Sequence, residues 1–572
     1  MNALEKKTLT SKENKHFNIL IVDDCQVSSL YLSKLLFQLG FTSVDHVTSY
    51  QQAIKLCSKQ HYSLLFIDYH LEQILNGSEL YNLLKEKGFI QPYTRVITIS
   101  GDNTIQTVLS TLSKGNGDYL CKPISKSVLS NKMSHAFQEF QIFKMLHHLK
   151  INKETSRIKE KAISLAKHKN IDELDQIIFD LFIPNNKEEL LHLCQQPEFS
   201  TRRNYILTKL KLDHELNLSS PENTIVEAEH FCQKYPLFAA GFDFLVEIQD
   251  KQYRYEDALL SANKALDLTP SVPSRALIVL RLALGCNDKM HFLKASHLLA
   301  NHLPVADQNW CAYVAECFSY YDDYIQNCQS ESDKKQLILE QKNFVRRSEY
   351  RLTKIQKKQL SIIFSFSECR RLIENGDIIK AKRQALKIIQ PFFDNLHQLN
   401  SVVLVDLLYL LTFFCEIWLL EKVNSVIKTK HYFNQYCLDS LQMLKNDNHL
   451  KASMAQLSQI LIQANQLQHS DPKKALSLYQ EVQHNYPYSS ELCIGLLECY
   501  LALSLDNPSK VSMMVALIQD MPLSINLIQR RDILLHSLHS HLGFIEEKST
   551  DVIQPHKILN KDPAMITPQL SK

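Results

Sequence analysis

The sequence predicts a compact α/β domain of the doubly wound type followed by a long all-helical region. Three observations carry that expectation. Of 11 glycines in 572 residues, Gly40, Gly77, Gly88, Gly101, Gly115 and Gly117 all fall early, and the remaining positions hold few. Turn-rich α/β structure needs residues at positive φ, whereas stacked helices need few. Short apolar runs alternate with helical patterns up to about residue 140. Beyond them, Pro236, Pro270 and Pro304 recur at intervals of 34 residues.

Taken in order, the strand-like runs are NILIV (18–22), VDHV (44–47), SLLFI (63–67), RVITI (95–99) and DYLC (118–121). Between them SSLYLSKLLFQL (28–39) and SELYNLLKEK (78–87) carry apolar residues at helical spacing. Five short apolar strands with intervening helices argue a parallel sheet, whose ligands lie outside the carboxyl ends of the strands. Polar residues stand at those ends. Asp23 and Asp24 close the first run, Asp68 the third, Ser100 the fourth, and Lys122-Pro123 the fifth.

Three carboxylates on one sheet edge need a cation, and Mg²⁺, hard and oxygen-preferring, suits them. Lys122 adds a fixed positive charge and Ser100 a hydroxyl. With the metal they would surround a phosphoryl group bonded to a carboxylate. Asp68 is the best nucleophile, because it stands alone on the central strand. Each residue by itself has a plainer reading as a helix cap, a turn or core packing. Five matches at successive strand ends favour the phosphoryl site.

This set resembles the receiver domain of two-component response regulators, a family with the flavodoxin-like fold. The resemblance covers about 120 residues. It implies that Asp68 is the phospho-acceptor and Asp24 a direct Mg²⁺ ligand. Asp23 would act mainly through a metal-bound water, and the His70 backbone carbonyl would take another metal position. Ser100 and Lys122 would contact the phosphoryl oxygens. Tyr119 would be the aromatic switch that responds to Ser100, and Pro123 would follow a cis peptide bond. The acceptor loop DYHLEQILNG departs from the family pattern: Glu72 replaces a proline, and Gly77 comes one residue late.

The helical remainder contains GFDFLVEIQDKQYRYEDALLSANKALDLTP, a unit that resembles the 34-residue tetratricopeptide repeat. Ala258 and Ala265 match its small positions, Pro270 its helix-ending proline, and Phe242 and Leu245 large positions of its first helix; Val246 replaces a glycine. DPKKALSLYQEVQHNYP (471–487) repeats the phasing of Ala475 and Pro487, and 376–390 does so more weakly. Such repeats stack into a solenoid whose concave surface binds peptides or proteins. The expected organisation is a flexible N-terminus (1–16), a receiver (17–140), a helical linker (141–200), a TPR-like solenoid (201–545) and a disordered tail (546–572).

Composition bounds the function. The chain is 45% hydrophobic with a net charge of +3, which does not mark a generic nucleic-acid or membrane binder. Its 14 cysteines include no C-x-x-C and read as buried residues in a reducing compartment. There is no secretory signal, Walker A loop, H-E-x-x-H or His-Asp dipeptide, so no separate catalytic output domain is expected. Residues 402–420 are long enough to span a bilayer but carry Asp406 and Glu416. An acidic residue near a membrane centre costs roughly 2.5–3.5 kcal/mol, so the stretch reads as one buried solenoid helix in a cytoplasmic protein. His147-His148 reads as solvated surface.

The resulting expectation is a response regulator phosphorylated on Asp68 by a sensor histidine kinase or phosphotransfer protein, with Mg²⁺. It would signal through a protein target of its helical arm, or by dimerising. Two alternatives are a phosphate sink for a kinase and a nucleic-acid-linked regulator. The latter would use KNFVRRSEYRLTKIQKK (342–358) as a single helix with seven basic residues and one acidic.

Overall fold

A computed structural model describes residues 17–542, apart from 72–74, 103, 113–117, 185 and 505–507. Glu72 and the terminal segments 1–16 and 546–572 lie outside the described residues. By contacts the chain divides into two compact units, Met1–Trp310 and Cys311–Lys572.

The first unit opens with a parallel sheet of β1 (Ile19–Val22), β2 (Val44–Val47), β3 (Leu64–Asp68), β4 (Arg95–Ser100) and β5 (Asp118–Cys121), ordered β2-β1-β3-β4-β5. Around it run α1 (Gln26–Gln38), α2 (Tyr50–Cys57), α3 (Gly77–Glu86), α4 (Ile105–Leu112) and α5 (Lys126–Ile151). Strand side chains alternate between the sheet's faces. Ile19, Ile21, Leu64, Phe66, Ile97 and Ile99 pack with Leu32 and Leu36 of α1 and with Leu129 and Met133 of α5. Leu20, Val22, Leu65, Ile67 and Val96 pack with Ala53 of α2 and with Leu80 and Leu84 of α3. With both faces covered, the central strands are buried throughout and mostly apolar; β3 ends on Asp68, and β4 carries Arg95 at its start, Thr98 within it and Ser100 at its end. The order reverses between β1 and β3, which opens a crevice at their carboxyl ends.

Helix α5 does not stop with the sheet. Its second half, through Ile142, Phe143 and Leu146, enters the next core with Ile158, Leu174, Ile178 and Leu190. Arg95 at the start of β4 fastens the same junction. It is buried, bonds Glu139 of α5 and Glu173 at 2.8 Å each, and lies over the Phe143 ring.

Helices α6 (Thr155–His168), α7 (Asp172–Phe182), α8 (Lys187–Gln195), α9 (Arg203–Glu215), α10 (Pro221–Lys234), α11 (Ala239–Lys251), α12 (Tyr255–Leu268), α13 (Pro273–Gly285) and α14 (Lys289–Asn301) complete this unit. Pro236, Pro270 and Pro304 each follow the second helix of a pair, after α10, α12 and α14. Ala258 and Ala265 are buried where α12 meets its neighbours, as are Phe242, Leu245 and Val246 of α11. His147 is half-buried with its ring 5.3 Å from that of Tyr93, and His148 is exposed.

The second unit is also helical: α15 (Trp310–Asn327), α16 (Glu331–Glu349), α17 (Lys354–Glu374), α18 (Ile378–Ile389), α19 (Ser401–Phe414), α20 (Ile417–Thr429), α21 (Gln435–Asn446), α22 (Asn448–Leu467), α23 (Pro472–Gln483), α24 (Ser490–Ala502), α25 (Pro508–Ile518) and α26 (Ile525–Leu542). It buries ionic groups in pairs. Asp322 accepts from Arg370 and Arg371 at 2.8 Å, and Lys382 pairs with Glu416.

Three expectations need revision. The apolar stretch 402–420 is two helices, α19 and α20, joined by Cys415 in the left-handed region (φ 58°). Asp406 in α19 and Glu416 in the joint are buried, bonded to Tyr436 and to Trp418 and Ser490. No described helix is long and apolar enough to cross a membrane. The basic segment 342–358 is likewise not one helix but the end of α16 and the start of α17. Finally, besides Gly376, the helical region adopts positive φ at residues other than glycine: Lys153, Asn217, Tyr253, Asn287, Cys415, Ser504 and Asp520.

Candidate functional site

The site lies in the crevice at the carboxyl ends of β1, β3, β4 and β5. In-register parallel pairing sets Val22 beside Ile67, so the next residues, Asp23 and Asp68, emerge together. Ser100 pairs with Cys121, which sets Lys122 at the same edge. The carboxylates of Asp23, Asp24 and Asp68 bring oxygens within 4.8 Å of one another. Asp23 and Asp68 are buried and Asp24 is exposed.

Lys122 is the local counter-charge. Its Nζ donates to Asp23 Oδ2 at 2.8 Å and to Asp68 Oδ2 at 2.6 Å. Burial alone would lower its pKa, but the two carboxylates outweigh burial and raise it. Asp68 also accepts from the His70 N–H at 3.0 Å. Burial raises the Asp68 pKa, opposed by its bonds to Lys122 and His70. Asp23 is held by the Cys25 N–H at 2.9 Å and the Ser28 hydroxyl at 2.6 Å. Among the described residues Asp24 makes no hydrogen bond or ion pair. The Lys122–Pro123 peptide bond is cis.

Ser100 is fully buried at the end of β4. Its Oγ accepts from the Asp102 N–H at 3.0 Å. Asp102 in turn caps the start of α4: its carboxylate accepts from the Thr104 N–H at 2.8 Å and the Thr107 hydroxyl at 2.7 Å, and these bonds lower its pKa. The Tyr119 hydroxyl donates to the Asp102 carbonyl at 2.6 Å. Burial raises the Tyr119 pKa, and Ser100 lies close enough to oppose it.

Gly77 allows the loop after Asp68 to close. A Cβ there would stand 2.3 Å from the Asp68 carbonyl oxygen, while the Gly77 N–H donates to the Tyr69 carbonyl at 2.9 Å. Asn76 and Glu79 form a capping box that starts α3 directly after this loop.

The structure therefore brings Asp23, Asp24, Asp68 and Lys122 into one cluster, with Ser100 at the next strand end. The His70 N–H faces Asp68 in the same loop. Ser28 and Asp102 were not singled out from the sequence. Asp102 did carry a signal, since an Asp side chain readily accepts the N–H two residues on and so shapes the turn into a helix. Ser28 carried none, because its contact with Asp23 follows from the path of the loop into α1.

Three clustered carboxylates against one ammonium leave net negative charge in a partly buried crevice. That donor set fits a hard divalent cation such as Mg²⁺. Three carboxylates, a lysine and a hydroxyl on one sheet edge are the arrangement expected of a receiver domain. Residues 19–134 match the family model described as Response regulator receiver domain. A two-component response regulator of Arabidopsis thaliana, ARR14, is 32% identical over 131 residues, 22% of this chain and 32% of that protein. The sensor protein EvgS of Escherichia coli K12 is 32% identical over 134 residues, 23% of this chain and 11% of its own length. Among solved structures, a two-component response regulator from Clostridium difficile is 24% identical, covering 21% of this chain and 96% of that one, with a TM-score of 0.19. The chain thus spans about a third or less of the length of these two curated relatives.

Proposed function

We propose that this protein is a phosphorylation-dependent response regulator that accepts a phosphoryl group on Asp68 and signals through protein contacts of its helical arm. The observation that carries the proposal is the Lys122 bond to Asp68 at 2.6 Å inside the three-aspartate cluster. In the step proposed, an Asp68 carboxylate oxygen attacks the phosphorus of a phosphohistidine. A P–O bond forms, the P–N bond breaks, and the electron pair leaves with the imidazole nitrogen. Lys122 follows the developing charge onto the phosphoryl oxygens, and Ser100 turns its hydroxyl to donate to another. Asp24 and Asp68, with Asp23 through a water and the His70 carbonyl, would hold Mg²⁺. Bound there, the metal supplies positive charge to the phosphoryl oxygens.

The phosphoryl donor is a sensor histidine kinase or a phosphotransfer protein. The helix that leaves the aspartate pair supports a protein donor: Val27, Leu30, Tyr31 and Phe37 of α1 are exposed along one side. The stacked helix pairs, with buried Ala258 and Ala265 at their close approaches, support a TPR-like arm that binds a protein target. No further catalytic domain is proposed, and the setting proposed is the cytoplasm.

Incubation with phosphoramidate and Mg²⁺, read by intact mass, tests the acceptor. The chain should gain one phosphoryl group that is labile to hydroxylamine, and Asp68→Asn should gain none. Unchanged uptake in Asp68→Asn would reject the assignment.

A further inference from the structure

We propose that the first turn of α4 is a lid over a groove in the helix pairs, and that it closes when Asp68 carries a phosphoryl group. The proposal rests on the acceptor reading above and names the contact through which the arm would sense it.

A cavity of about 1000 Å³ lies between α4 and the groove formed by α10, α11 and α12. Thr104, Ile105 and Gln106 form one wall, with Leu237, Leu260 and Lys264 across from them. Ile105 is 55% exposed, Leu237 52% and Leu260 56%, so three aliphatic side chains line the same cavity half in water. Gln249, which also lines the cavity, is only 2% exposed, yet its Oε1 accepts no hydrogen bond. A buried amide oxygen without a donor is costly, and so is aliphatic surface left wet at a junction. Both costs fall if α4 moves into the groove. Ile105 then fills the space between Leu237 and Leu260, and the Gln106 amide can donate to Gln249.

The connection from Ser100 to this turn is short and bonded throughout. Ser100 Oγ holds the Asp102 N–H, and Asp102 holds Thr104 and Thr107, so the cap and the first turn of α4 move as one piece. The Tyr119 hydroxyl grips the same Asp102 carbonyl. A phosphoryl oxygen that draws in the Ser100 hydroxyl therefore displaces the cap, and the cap carries Ile105. Closure is favoured only in so far as the phosphoryl state binds Ser100 differently, which is the condition any such coupling must meet.

Amide hydrogen exchange on the full chain, with and without Mg²⁺–beryllofluoride as the probe, tests the lid. Segments 95–102 report on the receiver, and segments 229–249 and 257–268 on the groove. The expected result is slower exchange in the groove segments by about threefold or more. Ile105→Asp and Leu260→Asp, surface changes on opposite walls, should keep the receiver response and lose the groove response. If the receiver responds while the groove does not change or exchanges faster, the lid is refuted and the acceptor reading stands. If the receiver itself gives no response, the acceptor reading fails and the lid falls with it.

Discussion

Among the described residues Lys122 is the one cation bonded to both Asp23 and Asp68, and its removal would leave two buried carboxylates close together. Lys122→Ala should slow phosphoryl uptake from phosphoramidate by about a hundredfold, the loss typical for one preorganised charge at a reacting oxygen. The same variant should alter the pH profile. Asp68 must be ionised to attack, and burial already raises its pKa, so uptake should climb as pH rises through that value. Without Lys122 the pKa rises further, and the midpoint of the climb should move to higher pH; uptake measured across a pH series reads the shift. These residues were legible because each stands where an apolar run stops, and a parallel sheet puts all such stops on one edge. Ser28 and Asp102 were less so. Their bonds depend on how a loop folds back, which run lengths do not encode.

At the scale of elements, α1 begins three residues after Asp23 and presents Val27, Leu30, Tyr31 and Phe37 outward. Tyr31→Glu should cut transfer from a phosphorylated histidine protein about tenfold and leave uptake from phosphoramidate unchanged, because only a protein donor would need the exposed face of the helix. The helix pairs offer a separate test. After α9, α11 and α13 the chain turns through Asn217, Tyr253 and Asn287, each near φ 55°. At the second of these, the Arg254 N–H closes onto the Gln249 carbonyl at 2.9 Å. Tyr253 is 77% exposed, so Tyr253→Gly should relieve the left-handed strain with little lost packing and stabilise the unit by about 1 kcal/mol. Chemical denaturation would show the gain. Pro236, Pro270 and Pro304 made the helix pairs visible in the sequence, since each ends a second helix. The terminators of the first helices stayed hidden because they are not glycines. The break at Cys415 was hidden for the same reason, and 402–420 therefore read as continuous.

Across the whole molecule, buried carboxylates give stability a pH dependence. In the second unit, burial with Asp322 nearby pushes Glu374 up to about 7, and burial pushes Asp406 and Asp323 up to about 6. Folded carboxyls that hold protons more tightly than unfolded ones add stability below their ordinary pKa and lose it as pH rises through the raised one. The unfolding midpoint of this unit should therefore fall between about pH 5 and pH 8, and Glu374→Gln should flatten the fall; thermal melts across that range decide it. None of this was legible in the sequence, since Asp322, Arg370 and Asp406 are far apart in the chain and meet only through helix stacking. One further consequence follows from α5, which belongs to two cores without a break. A helix of 26 residues is a rod about 39 Å long. Tilted by about 5° at Leu129, it would carry its far end sideways by about 3 Å, more than half of one helical turn's rise. The receiver and the helices beyond it thus share a lever arm, and a cut at residue 140 would sever that arm between Phe140 and Phe143 rather than separate two independent bodies.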